Sequence, residues 1–215
     1  IGYKEAGYFP EAFVNILALL GWNPGNNQEI FSLDEIANIF EFERVHKSGA
    51  KFDPEKAKWF NQQYLRKHSD KDLASLFKPT LTQKGYNLPD AFVEEYCRLV
   101  KEKAQFVHEF WQHGFFILEA PTTYDEKVLA KKWNPDVKAL FVKLNDKLAA
   151  LQTWNAHELH ELFNAATAEL GKLDMQVMRV LVTGVAGGPQ LFDVMALIGK
   201  DKVMERMKAA LEKLF

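Results

Sequence analysis

With 215 residues, 47% hydrophobic and 26% charged, the chain has the composition of an ordinary soluble globular protein and enough length for one or two domains around a sizeable core. Its formal net charge of −2 excludes a global electrostatic pull on nucleic acid, so any basic surface must be local. A single cysteine, Cys97, excludes an internal disulfide framework and fits a reducing, cytoplasmic setting, and no apolar run is long enough for a bilayer.

The chain begins at Ile1 without a methionine or a signal-peptide pattern, as a fragment is expected to. Pro10 opens an apolar segment that Gly21 closes, and Ser32 with Glu35 forms a capping box before a second helix. The turn-forming WNPGNNQ between them makes this pair a helical hairpin. From Arg44 to Lys67 seven Lys and Arg residues, Lys47, Lys51, Lys56 and Lys58 among them, stand against two acids. Asp53 and Pro54 start a helix there, on which Trp59 and Tyr64 alternate with cations. That pattern suits phosphate contact with stacking, and it suits equally a solvated basic face over buried aromatics. The His46-Lys47-Ser48 triplet is too short to carry a nucleotide-activating signature.

Ser69 and Asp72 cap a helix that Pro79 is expected to end. Asp90 is expected to start a long helix through Tyr96, Val100 and Phe110 to Gly114. Pro121 and the paired threonines mark a loop, and Asn134-Pro135 is another helix entry. His157 and His160 stand three apart without a further ligand. Zinc spacing is therefore not met, and Asn155 with Glu158 reads as a cap for a helix ending at Gly171. The segment from Gln176 to Gly199 holds a Thr-Gly turn, a Gly187-Gly188-Pro189 tip and an expected short helix over 189–198. The last helix is expected over 201–214. The tip lacks the Lys-Ser/Thr pair of a Walker loop, and by pattern it is either an anion-binding loop or an ordinary turn. No catalytic elbow, dinucleotide fingerprint or metal-ligand set occurs. Pattern alone thus stops at an all-α protein with a basic stretch and a glycine-rich tip. A helical protein-interaction scaffold with no nucleic-acid role stays open beside a nucleic-acid binder.

Three segments carry a resemblance that goes further: GYFPEAFVNILALLGWNPG at 7–25, EIFSLDEIANIFEFERVHKSGAKFDPEKAKWFNQQYLR at 29–66, and VLVTGVAGGPQLFDVMALIGKDKVMERM at 180–207. In this order they resemble the C-terminal part of bacterial glutamate–tRNA ligases, class I synthetases. The resemblance implies an all-α fold, with residues 1–67 the remnant of a stem-contact domain and 68–215 an anticodon-binding domain, subdivided near 119–126. It implies tRNA for glutamate as partner, no DNA or membrane, and a monomer. The parent enzyme is expected to use ATP and magnesium, whereas this chain holds neither the HIGH-like nor the KMSKS-like motif and is expected to be inactive alone. Trp59 and Arg66 are implied in stem contact. Gln176 and Arg179 are implied as polar anticodon contacts, and Gly188, Pro189, Leu191 and Phe192 as the tip on which bases pack. Lys103 falls near a position where some members carry an arginine that separates glutamate from glutamine anticodons. A lysine lacks arginine's planar fork and its bidentate contacts.

Overall fold

The computed structural model describes residues 2–46 and 51–214, so Lys47 and Ser48 lie outside the described residues. The fold is all-α. Among the described residues there are twelve α-helices, no strand, and one isolated bridge between Trp22 and Val45. The chain divides into two compact units, Ile1–Trp111 and Gln112–Phe215.

In the first unit, α1 (Pro10–Gly21) packs on α2 (Leu33–Ile39) and α3 (Pro54–Lys67). Local chemistry sets these helix starts. Ser32 Oγ accepts the Glu35 N–H while the Ser32 N–H donates to Glu35 Oε2, and Asp53 Oδ1 accepts the N–H groups of Glu55 and Lys56. Two buried asparagines bind this layer together. Asn61 accepts the Phe9 N–H at 2.8 Å and donates to the Gln105 carbonyl at 2.6 Å, and Asn15 accepts from the Phe31 N–H and the Tyr64 hydroxyl, both at 2.9 Å.

Next comes α4 (Asp70–Gln83), which runs straight through Pro79 where an end was expected. The proline lies on the exposed face, as does Ser75, whose carbonyl loses its helical donor to the ring and can turn to water. Phe77 and Leu81, on either side, are fully buried and hold the helix together. The long helix expected from Asp90 is instead two, α5 (Asp90–Val100) and α6 (Phe110–Leu118), with Gly114 buried inside α6 rather than ending it. Between them Glu109 Oε2 accepts the N–H groups of Gln105 and Phe106, satisfying donors that a continuous helix would have used. Phe77, Tyr96 and Phe110 are buried together in the core of this unit, with the Phe77 and Tyr96 rings stacked at 5.2 Å.

The second unit contains α7 (Glu126–Lys132), α8 (Pro135–Ala150), α9 (Ala156–Leu170), α10 (Met175–Thr183), α11 (Leu191–Ile198) and α12 (Lys200–Lys213). Asn134, Asn155 and Asp174 cap their helices as Asn and Asp do at this position. The core comprises Phe141, Leu144, Leu148, Leu159, Met178, Leu181, Met195 and Met207. Arg206 is buried among them. Its Nη1 donates to the Phe116 carbonyl at 2.6 Å and to that of Val182 at 3.3 Å, and its Nη2 to that of Ile117 at 3.4 Å. Burial lowers its pKa, because no carboxylate compensates the desolvated charge as strongly.

Candidate nucleic-acid interface

The glycine-rich tip of the second unit is built by α10, a turn, and α11. α10 stops at Gly184, which adopts a left-handed conformation (φ 79°) and returns its N–H to the Val180 carbonyl at 2.8 Å. A side chain there would meet the Thr123 carbonyl at 2.6 Å, so glycine is required for space as well as for φ. The chain then runs through Gly187 and Gly188 to Pro189. The helix expected from Pro189 begins two residues later, with Gln190 as its cap. Pro189 is not the first helical residue because its carbonyl faces back to α10, where Nη2 of Arg179 donates to it at 2.7 Å.

Arg179 therefore sits beneath the tip. Its Nη1 is shielded from solvent and has no hydrogen-bond partner among the described residues, and burial lowers its pKa. A Cβ on Gly188 would lie 3.0 Å from that Nη1 and 3.1 Å from Cζ of Phe116, so the tip backbone rests directly on the guanidinium. Leu191 and Phe192, expected in the surface on which bases pack, are 1% and 8% exposed. Phe192 lies against the rings of Phe163 and His160 from α9, so these two side chains hold the tip from below. Gly187 and Gln190 are the exposed residues of the tip.

Gln176 is exposed on the first turn of α10, and its side chain is hydrogen-bonded. The ammonium of Lys132, from α7, donates to its Oε1 at 2.9 Å and to Asp174 Oδ2 at 2.8 Å. Burial raises the Asp174 pKa, but hydrogen bonds from Lys132 and from the Val177 and Gln176 N–H groups outweigh it and hold the carboxyl below its ordinary value. Lys132 and Asp174 were not foreseen in any site. Asp174 carries the sequence signal of a cap, whereas nothing in the sequence links Lys132 to a residue 44 positions on.

The remaining expected residues lie in the first unit. Trp59, on α3, is 38% exposed with its ring edge-on to Phe60. The Arg66 guanidinium donates to the Glu102 carbonyl at 2.6 Å and lies 3.2 Å from the Glu102 carboxylate, which ties α3 to the turn bearing Lys103. The structure thus brings Arg66 and the Lys103 turn together, and Lys103 is exposed there. Part of the basic stretch is paired: Arg44 with Glu41, Lys56 with Glu29 and Lys58 with Glu55. Lys51 and Lys67 are exposed and make no ion pair among the described residues. His157 and His160 are both exposed on α9.

The family model described as "Anticodon binding domain" matches residues 72–211, and that described as "tRNA synthetases class I (E and Q), catalytic domain" matches residues 2–59. Glutamate–tRNA ligases of Flavobacterium johnsoniae and Bacteroides fragilis are 42% and 40% identical to the chain over 99% of its length, which is 43% of each relative. The crystal structure of a glutamate tRNA ligase from Elizabethkingia meningosepticum in complex with its amino acid superposes with a TM-score of 0.92 at 37% identity, over 100% of this chain and 43% of that one. The chain spans less than half the length of these relatives.

Proposed function

The chain belongs to the anticodon-binding domain family, in the form carried by bacterial glutamate–tRNA ligases, and from this we propose that it binds tRNA for glutamate through the α10–α11 tip. The observation that carries the reading is the Arg179–Pro189 hydrogen bond, which lies inside the matched 72–211 segment and presets the tip backbone before any ligand arrives. Unstacked anticodon bases are read by hydrogen bonds to their edges and by stacking. A preset glycine-rich backbone, with the Gln176 carboxamide on the same helix as Arg179, offers the first directly.

In this reading residues 68–215 serve the anticodon end, and residues 1–67 serve the inner stem through Trp59, Arg66 and the exposed lysines beside them. Support for that division comes from the two family models, one ending at 59 and the other starting at 72. Lys103 contributes a single point charge and no bidentate fork. The parent enzyme attaches glutamate to tRNA in the cytoplasm with ATP and magnesium. The 215-residue chain, acting as a monomer, supplies tRNA contact and no catalysis of its own.

The test is binding of tRNA for glutamate to the chain, followed by fluorescence anisotropy over a series of salt concentrations. Phosphate contacts make affinity fall steeply with salt, and Arg179→Ala weakens binding at matched salt. Absence of tRNA binding at low salt overturns the reading in favour of the helical scaffold. ATP–pyrophosphate exchange by the chain alone overturns the assignment of catalysis to the parent.

A further inference from the structure

Lys132, Asp174 and Gln176 form a cluster at the first turn of α10, the helix that carries Arg179. The ammonium of Lys132 touches both the Asp174 carboxylate and the Gln176 side chain. An ammonium has donors and no acceptor, so the carboxamide atom facing it must be the oxygen. The same Asp174 carboxylate accepts the Gln176 backbone N–H at 2.8 Å through Oδ1. One acid therefore fixes Gln176 at both ends, directly at its backbone and through Lys132 at its side chain. Among the described residues the Gln176 Nε2 has no partner, and it is left with two donors turned away from the lysine.

We propose that Lys132 is a positioning residue for anticodon recognition, orienting the Gln176 carboxamide so that its NH2 meets a base edge bearing carbonyl or ring-nitrogen acceptors. The inference rests on the tRNA-binding reading and adds to it the polarity of the Gln176 contact. Lys132 does not itself serve as a phosphate contact, because its charge is already matched by Asp174 at 2.8 Å. A freely rotating glutamine can present either its oxygen or its NH2 and discriminates poorly between bases. A glutamine locked by an ammonium presents only one.

The experiment measures binding of the chain to an anticodon stem-loop RNA with a glutamate anticodon and to variants changed at each anticodon base in turn, with melting temperatures recorded for every protein. Lys132→Met, which keeps the apolar stem, is expected to lower the preference for the unchanged loop about tenfold at one anticodon position, the scale of a lost base contact. It is also expected to leave the salt slope unaltered, and Lys132→Arg, still donor-only, restores the preference. Gln176→Glu keeps the Lys132 contact and removes the donors, so it loses the same preference at the same position. It carries the test should Lys132→Met fail to fold. A wild-type preference that persists in Gln176→Glu or in folded Lys132→Met overturns the inference and leaves the tRNA reading standing. A salt slope reduced by about one unit in Lys132→Met makes the lysine a phosphate contact and overturns it as well. If the wild-type chain binds none of the loops, the tRNA reading falls, and this inference with it.

Discussion

Arg179 and Pro189 are joined across ten residues by a hydrogen bond of 2.7 Å from a side chain to a backbone carbonyl, and Gly188 lies directly over the guanidinium that makes it. The tip is therefore a lid on an arginine, and its shape depends on the absence of a side chain at one of its two glycines but not at the other.

Gly188→Ala places a methyl 3.0 Å from Arg179 Nη1 and 3.1 Å from Phe116 Cζ, on a residue whose φ of 156° ordinary side chains rarely adopt. Arg179 cannot withdraw without leaving Pro189. The expected cost is about 1–2 kcal/mol in urea denaturation, with weakened RNA binding. Gly187→Ala meets nothing within 4 Å and is the matched control, expected to stay within about 0.5 kcal/mol of the parent. Equal effects at the two positions would show that the Gly188 contact is not what shapes the tip.

Arg206→Met removes the donors that reach the carbonyls of Phe116, Ile117 and Val182 from a side chain only 4% exposed. Two effects oppose each other. Burying the arginine is itself costly, as its lowered pKa reflects, while the stranded carbonyls lose their partners. Three acceptors against one charge decide the sign, and a loss of about 2 kcal/mol in urea denaturation is expected.

Asn61→Ala is expected to cost about 2–3 kcal/mol, because the side chain is fully buried and serves a donor and an acceptor from two separate segments. The damage should be directional. The Phe9 N–H loses its acceptor, so limited proteolysis of the variant should cut within residues 2–9 before any helix core. Loss of global stability without that early cut would mean the asparagine does not anchor this segment.

The contrast between Asn155 and Pro79 separates what was legible in the sequence from what was not. Helix starts at Ser32, Asp53, Asn134 and Asn155 follow from a side chain and an N–H two or three residues on, an interaction that local sequence contains in full. The run of α4 through Pro79, the break after Val100 and the late start of α11 were not legible. Each depends on a side chain that the start and stop signals do not weigh: burial of Phe77 and Leu81 beside the proline, Glu109 turned back onto the N–H groups of Gln105 and Phe106 at the break, and Arg179 holding the Pro189 carbonyl. The candidate interface divides the same way. Gly188, Pro189 and Arg179 are near neighbours in one motif, whereas Lys132 reaches Gln176 only once α7 and α10 have packed.

Cys97 supplies the pH prediction. Its thiol is fully buried, and burial, helped by the carboxylates of Asp70 and Glu94 against the opposing Lys101 ammonium, pushes its pKa up from 9.0 to about 12. The folded chain keeps the thiol neutral, whereas the unfolded chain ionises it above pH 9. Its contribution to stability is therefore complete below pH 9 and is lost as pH rises from there towards 12. Tyr64, pushed by burial from 10.0 to about 12, adds a second loss that begins at about pH 10. Denaturation midpoints of the parent should thus fall between pH 9 and 10 through the thiol and more steeply beyond. Cys97→Ala should abolish the first decline and keep the second. A decline between pH 9 and 10 that survives in Cys97→Ala would assign it to some other group. The buried thiol should also resist a disulfide reagent at pH 8 at a rate set by unfolding, and a rapid reaction there would contradict its burial.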